Sequence, residues 1–213
     1  MDIFIYLFAA LFSVLNPIGT VPIFVGLTQG YSASERSKTS LITSINVFVI
    51  LLISFFVGQY VLSFFGITIT ALRIAGGIII ASSGFSLLNG NFSKNKGINK
   101  KVQKEVETRQ NIALTPLAMP MLAGPGSISL LIAYYQELTE SNASITTSEI
   151  LFSCFAILAV AILIYLILRS AHYLAKILGS SGIVAISRII GFLTIAIGIQ
   201  YIISDVLSII RGI

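Results

Sequence analysis

The chain has 213 residues, of which 56% are apolar and only 10% charged, with a net charge of +5 and a mean hydropathy of +0.98. A soluble domain of this length carries about 25% charged residues, so a water-soluble globule is excluded, and apolar runs of about 20 residues suit a hydrocarbon core of ~30 Å. No Walker loop, dinucleotide fingerprint or paired histidines occur, so neither an enzyme nor a cofactor is expected; one Cys (Cys154) and one His (His172) exclude an intrachain disulfide and a His/Cys metal cluster.

Six membrane spans are predicted in chain order, at 3–27, 41–64, 70–89, 113–135, 150–169 and 187–208. The opening Met1-Asp2-Ile3 has no basic stretch before the apolar run, so the first span reads as a retained helix, not a cleaved signal. Within it, "LNPIGTVPIF" (15–24) sets Pro17 and Pro22, which lack the N–H a helix needs, around Gly19. A polar loop (Gln29 to Lys38) leads to the second span, which carries Asn46 and Ser54, and a turn near Gly66 leads to the third. A long basic loop (Asn89 to Gln110) precedes the fourth span, whose "PLAMPMLAGPGSIS" (116–129) holds the other three prolines. An acidic loop (Gln136 to Glu149) follows, then the fifth span. "SAHYLAKILG" (170–179) reads as an interfacial helix before the sixth span, which carries Thr194 and Gln200.

The basic residues lie in loops beside apolar segments, a pattern of membrane topology and not of nucleic-acid binding. Eleven of the thirteen Lys and Arg fall in or beside loops 1–2, 3–4 and 5–6; only Arg73 and Arg211 fall on the other side. The positive-inside rule then makes the first side cytoplasmic and puts both termini outside.

The two proline clusters are related. Laying "NPIG" (16–19) on "GPGS" (124–127) aligns Pro17 with Pro125; "LRIAGG" (72–77) pairs with "SRIIGF" (187–192), and "FFGI" (64–67) with "ILGS" (177–180). One three-helix unit is used twice: residues 1–90, a basic linker at 91–112, and residues 113–213. Three is odd, so the second copy enters from the opposite side, giving an all-α membrane protein of two inverted three-helix repeats with broken helices 1 and 4. A lone proline in a membrane helix usually only kinks it. Two clusters at repeat-equivalent positions point instead to broken helices lining a protein cavity, because hydrocarbon does not satisfy freed backbone groups. Half-helix ends offer partial positive charge at amides and partial negative charge at carbonyls, which together suit an amino-acid zwitterion. The candidate binding residues are Asn16, Pro17, Ile18, Gly19, Thr20, Gly124, Pro125, Gly126 and Ser127, with Asn46. Gly126 is expected where backbone closely approaches the ligand, with φ > 0, and the pocket is expected to favour small side chains. Gly76, Gly77, Gly84, Gly191 and Gly198 read as helix contacts.

At these blocks the sequence resembles the MarC family of bacterial integral membrane proteins: "NPIGTVPIF" and "MPMLAGPGSIS" resemble its two signatures, "FGITITALRIAGG" its third-helix block and "ISRIIG" its sixth. The resemblance implies a six-span inner-membrane protein related to the LysE-type exporter superfamily, and transport of small neutral amino acids such as glycine and alanine. Its expected partners are that substrate and membrane lipid, with a coupling ion (H+ or Na+) and a homo-oligomer left open. No Asp, Glu, Lys or Arg falls in the central two turns of any span, so no proton relay of the usual kind is visible; Asp205 is the nearest carboxylate. The alternative reading is a channel-like or scaffolding membrane protein without saturable transport.

Overall fold

A computed structural model describes residues 2–89, 112–141 and 146–211; the basic loop and nearly all of the 91–112 linker lie outside the described residues. All regular structure among them is helical. In chain order the helices are α1 (Asp2–Leu15), α2 (Pro17–Leu27), α3 (Ala33–Phe65), α4 (Ile69–Leu88), α5 (Pro125–Ser141), α6 (Thr147–Arg169) and α7 (Ala171–Arg211), with an irregular segment, Ala113–Leu122, before α5.

Four helices are long and apolar enough to cross a membrane: Ala33–Phe65, Ile69–Leu88, Thr147–Arg169 and Val184–Leu207. A fifth crossing is available if Ile3–Leu15 and Pro17–Leu27 act together, bent by 40°. Neither half suffices alone, but their 14 and 11 residues rise roughly 37 Å together, and a bend of this size keeps the chain moving in one direction. Large apolar side chains such as Phe64 (85% exposed), Ile53 and Phe155 cover the outside, an arrangement that lipid satisfies and water does not. The interior is a continuous apolar cluster that includes Leu7, Leu11, Leu15, Phe24, Leu51, Phe55, Leu117, Leu131, Val160 and Ile164.

Two boundaries differ from the sequence expectation. The loop expected over Gln29 to Lys38 is half helix, because Ser32 and Glu35 form a capping box: the Glu35 N–H donates to Ser32 Oγ (3.2 Å) and the Ser32 N–H to Glu35 Oε2 (2.7 Å). The acidic loop expected over Gln136 to Glu149 is helical at both ends, over 136–141 and 147–149, whereas the helix expected over 170–179 is present and ends at Gly179 (φ 61°), where α7 breaks.

The extensive helix contacts all run between the two halves of the chain. α3 packs on α5, α6 and the 113–122 segment; α1 packs on α6; α2 packs on α7; and α4 packs on both α5 and α7. The broadest contact is α4 on α7, and glycines make it possible. A Cβ at Gly77 would stand 2.6 Å from the Gly198 carbonyl, and one at Gly84 would stand 2.6 Å from the Gly191 carbonyl. Backbone lies on backbone, and since Gly77 meets Gly198 while Gly84 meets Gly191, the two helices are antiparallel. Close approach through small residues is how helices associate without a hydrophobic driving force.

Local features recur between the halves. Glu149 reaches back to the Thr146 N–H (2.9 Å) as Glu35 does to that of Ser32, and Ser153 bonds the Glu149 carbonyl (2.8 Å) as Thr39 bonds that of Glu35 (2.9 Å). Thr146, Glu149, Ser153, Gly191 and Gly198 each stand 114 positions after Ser32, Glu35, Thr39, Gly77 and Gly84. This register pairs Gly77 with Gly191, one residue away from the Gly76–Gly191 pairing read from the sequence. Gly66 (φ 66°) closes α3 and Gly179 (φ 61°) breaks α7 ahead of its membrane-spanning part, both in the left-handed region, where glycine is favoured.

Candidate functional site

The first break is a compact local motif. Asn16 closes α1 through its N–H to the Phe12 carbonyl (3.1 Å), then turns into the left-handed region (φ 43°, ψ 64°), which Asn tolerates. Its Oδ1 accepts from the Gly19 N–H (3.1 Å), capping α2, and its carbonyl accepts from Thr20 Oγ1 (3.3 Å). Pro17 is the first residue of α2, where no N–H is missed. At Gly19 a Cβ would collide with the folded-over Asn16 side chain, whose Cγ would be 2.9 Å away. The motif N-P-x-G is therefore explained by Asn as cap, Pro as helix starter and Gly as clearance. Pro22 lies inside a continuous α2, so the break is at Asn16 and not between the prolines. Asn16 is 1% exposed, and its Nδ2 has no hydrogen-bond partner.

The second break is longer. In the 113–122 segment Thr115 (φ −125°, ψ 121°) and Met119 (φ −128°, ψ 126°) are extended, and the turns between close with five-residue steps, Leu117 N–H to the Ile112 carbonyl and Ala123 N–H to the Ala118 carbonyl. Pro125 then opens α5 as Pro17 opens α2. The Gly124 carbonyl accepts from the Ser127 N–H (3.1 Å) and Ser127 Oγ (2.9 Å). Gly126 is not among the positive-φ residues, which corrects that expectation, and a Cβ there would lie 3.1 Å from Ile80 and 3.6 Å from Val14. The start of α5 is thus seated against the last turn of α1, two residues before Asn16. Pro17, Gly19, Thr20, Gly126 and Ser127 are buried, Ile18 and Gly124 half-buried, and Pro125 exposed. Asn46 is half-buried on α3 and bonds to neither break.

A cavity of about 960 Å³ opens between α1, α4, α5 and α7. Its walls include Tyr6, Ser13, Arg73, Glu137, Gln200, Tyr201, Ser204 and Asp205, none of which belongs to either break. Arg73, on the first turn of α4, donates from Nη2 to the Ala133 carbonyl (3.1 Å) and faces Asp205 (Nη1 to Oδ1, 3.6 Å) and Glu137 (Nη2 to Oε2, 3.8 Å). Asp205 is buried, whereas the Glu137 side chain is 59% exposed. At its floor Thr194 Oγ1 bonds the Ile190 carbonyl (2.8 Å), which leaves Ser13 Oγ to donate to Thr194 Oγ1 (3.0 Å). Ser13 is one helical turn before Asn16, so the cavity ends directly above the first break.

Sequence reasoning used Arg73 for topology and for the repeat, Glu137 for topology alone and Asp205 only as the nearest carboxylate; it passed over Tyr6, Ser13 and Tyr201. The available signal was that Arg73, Glu137 and Asp205 all fall at span ends on the same predicted side. At the opposite end a smaller depression of about 330 Å³ is lined by Ser181, Val184, Ala185 and Arg188. Below the span of α6, His172 lies near Arg36 and Lys176; burial first, and those two cations second, hold its pKa below the ordinary value.

The chain matches the family described as MarC family integral membrane protein over residues 1–210. It is 42% identical over 200 residues, covering 94% of this chain and 90% of the relative, to a UPF0056 membrane protein of Buchnera aphidicola subsp. Schizaphis graminum. It is 38% identical over 202 residues, covering 92% and 90%, to the UPF0056 inner membrane protein MarC of Escherichia coli O1:K1. No solved structure matches it at a significant level. With the match spanning almost its whole length, the chain belongs to the MarC family of integral membrane proteins.

Proposed function

We propose that this chain is a secondary transporter of small neutral amino acids, of the glycine and alanine type, across the bacterial inner membrane by alternating access. The observation that carries this reading is the exchange of the halves across the antiparallel α4–α7 contact: Gly77 on Gly198 becomes Gly191 on Gly84 when the copies are swapped. Antiparallel counterparts are what an inverted repeat demands, and inverted repeats with interrupted helices at matching positions mark a transporter's midplane site. In this reading α1–α2 form the first span and the 113–122 segment with α5 the fourth, which completes six. Both termini are outside. The breaks supply the half-helix ends, with Asn16, Pro17, Ile18, Gly19 and Thr20 opposite Gly124, Pro125, Gly126 and Ser127, and Asn46 at the edge. Asp205 is the carboxylate available to a coupling ion. The name of the Escherichia coli relative supports the inner membrane as the location.

The test is counterflow in proteoliposomes of purified full-length protein. Liposomes preloaded with unlabelled glycine should accumulate labelled glycine transiently, with saturable initial rates. Flux that is linear in concentration and shows no overshoot would favour a channel-like protein, and absence of any flux would favour a scaffold.

A further inference from the structure

The charged groups of the cavity play no part in the helix-break reading, yet they form a matched set. Arg73 has one firm bond, to the Ala133 carbonyl at 3.1 Å, while its separations from Asp205 (3.6 Å) and Glu137 (3.8 Å) exceed the ~2.7–2.9 Å of a direct charge-assisted bond. A guanidinium presents five donors in a planar fork, so Arg73 can keep Ala133 and still take a carboxylate in two bonds. We propose that this cavity is a recognition site for the headgroup of an α-amino-acid zwitterion, open to the outer face. The ligand carboxylate sits on Arg73 and the ammonium between Asp205 and Glu137. The ligand class rests on the transport reading above; the site does not depend on the broken helices.

Mixed charge is what selects a zwitterion. A simple carboxylic acid brings its anion against two carboxylates, and a simple amine brings its cation against a guanidinium. Two carboxylates outnumber the one guanidinium, so an amine is drawn in part to the set, but a ligand carrying both charges at headgroup spacing engages Arg73 as well and is held best. The volume, about 960 Å³, is far more than glycine fills, so the side chain is not gripped here. Glycine, alanine and serine should bind alike in the cavity, and any preference for small substrates belongs to the breaks below it.

The test uses Gln200→Cys and Ser204→Cys, both exposed on the cavity wall, in a Cys154→Ser full-length background reconstituted in proteoliposomes of known sidedness. A membrane-impermeant thiol reagent should label both positions from the outer face. Glycine, alanine and serine should slow labelling alike, whereas acetate should not and ethylamine should do so only at much higher concentration. Measured against its own unprotected labelling rate, Arg73→Gln should require about 10- to 100-fold more glycine for half-protection, as expected for losing bonds to a charged group. Glu137→Gln, at a largely exposed position, gives the same comparison if Arg73→Gln does not fold, with a smaller shift. Saturable glycine counterflow without protection overturns the cavity site and leaves the transport reading standing. Protection without counterflow does the reverse, and absence of both overturns both. Equal protection by acetate or ethylamine, or labelling from the cytoplasmic face alone, also overturns the proposal.

Discussion

Gly84→Ala adds one methyl group at the place where α4 and α7 have least room. Its Cβ would stand 2.6 Å from the Gly191 carbonyl oxygen, 2.7 Å from Ile195 Cγ1 and 2.8 Å from the Ile195 nitrogen. Two of the three atoms are backbone, so no rotamer change relieves them, and the helices must part by about 1 Å to reach ordinary contact. A gap of that size forfeits about a quarter to a half of the dispersion well for each contact in the seam, and overpacking of this kind costs about 1–3 kcal/mol. Alanine's better helix propensity returns at most about 1 kcal/mol. Gly26→Ala is the matched control: the same chemical change in α2, with nothing within 4 Å of the new Cβ. The two variants should therefore differ by about 1–3 kcal/mol, the cost of the clash. Unfolding in mixed micelles with increasing SDS, followed by helical circular dichroism, measures this difference. Gly191→Ala, whose Cβ would meet Leu87 at 2.8 Å and the Gly84 carbonyl at 2.9 Å, should add less in the double variant than alone, because the first methyl group has already set the separation. Superimposable curves for Gly84→Ala and Gly26→Ala would refute the close α4–α7 seam.

Asn16→Ala should lose the cap, about 1 kcal/mol, and with it the local hydrogen bond by which Asn, unlike alanine, tolerates the left-handed region. Asn16→Gly should lose only a few tenths, so equal SDS midpoints would count against the left-handed cap. His172 has its pKa lowered from 6.5, so its neutral form is favoured by folding and the unfolded chain binds more protons. Stability should be full above about pH 6.5 and fall as the pH drops towards the lowered pKa. His172→Gln should flatten that slope in SDS midpoints measured across the range. Reporter fusions after Ile213 should report a periplasmic end and fusions near Lys100 a cytoplasmic loop; a cytoplasmic C-terminus would overturn the six-span reading.

The helices were legible because lipid leaves a plain signature, long apolar runs between polar turns. Their ends were less so. Ser32 to Glu35 and Thr146 to Glu149 carry the spacing of a capping box, yet their polarity reads as loop until the reciprocal bonds are seen. The prolines located the breaks to within a few residues but misassigned the cause. Pro17 and Pro125 start helices instead of interrupting them, Pro22 is tolerated inside one, and the turning residue is Asn16. The cavity was the least legible feature. Its charged residues come from α4, α5 and α7, up to 132 positions apart between Arg73 and Asp205, and only the antiparallel packing of the halves brings them together.

The two ends of the molecule are unequal, and under the proposed reading that inequality identifies the state. Arg73 and Arg188, one position out of strict register, each stand near the start of the third span of their own half. Arg73 faces a cavity of about 960 Å³, whereas Arg188 borders a depression of about 330 Å³. Two copies with the same fold need not have the same conformation, and exchanging their conformations generates the opposite opening without a new fold. The glycine seam between α4 and α7, like the α3–α6 contact, is mapped onto itself by this exchange, so it can stay closed while α1 and α5 shift around it. The Ser13–Thr194 hydrogen bond joins α1 to α7 at the floor of the open cavity, one turn above Asn16. It therefore stands where a path from the outer cavity to the first break has to open. This arrangement separates two tasks. On the proposed reading, charges at the membrane surface select the headgroup where water is at hand, and uncharged backbone in the centre handles the substrate where an unpaired charge costs most.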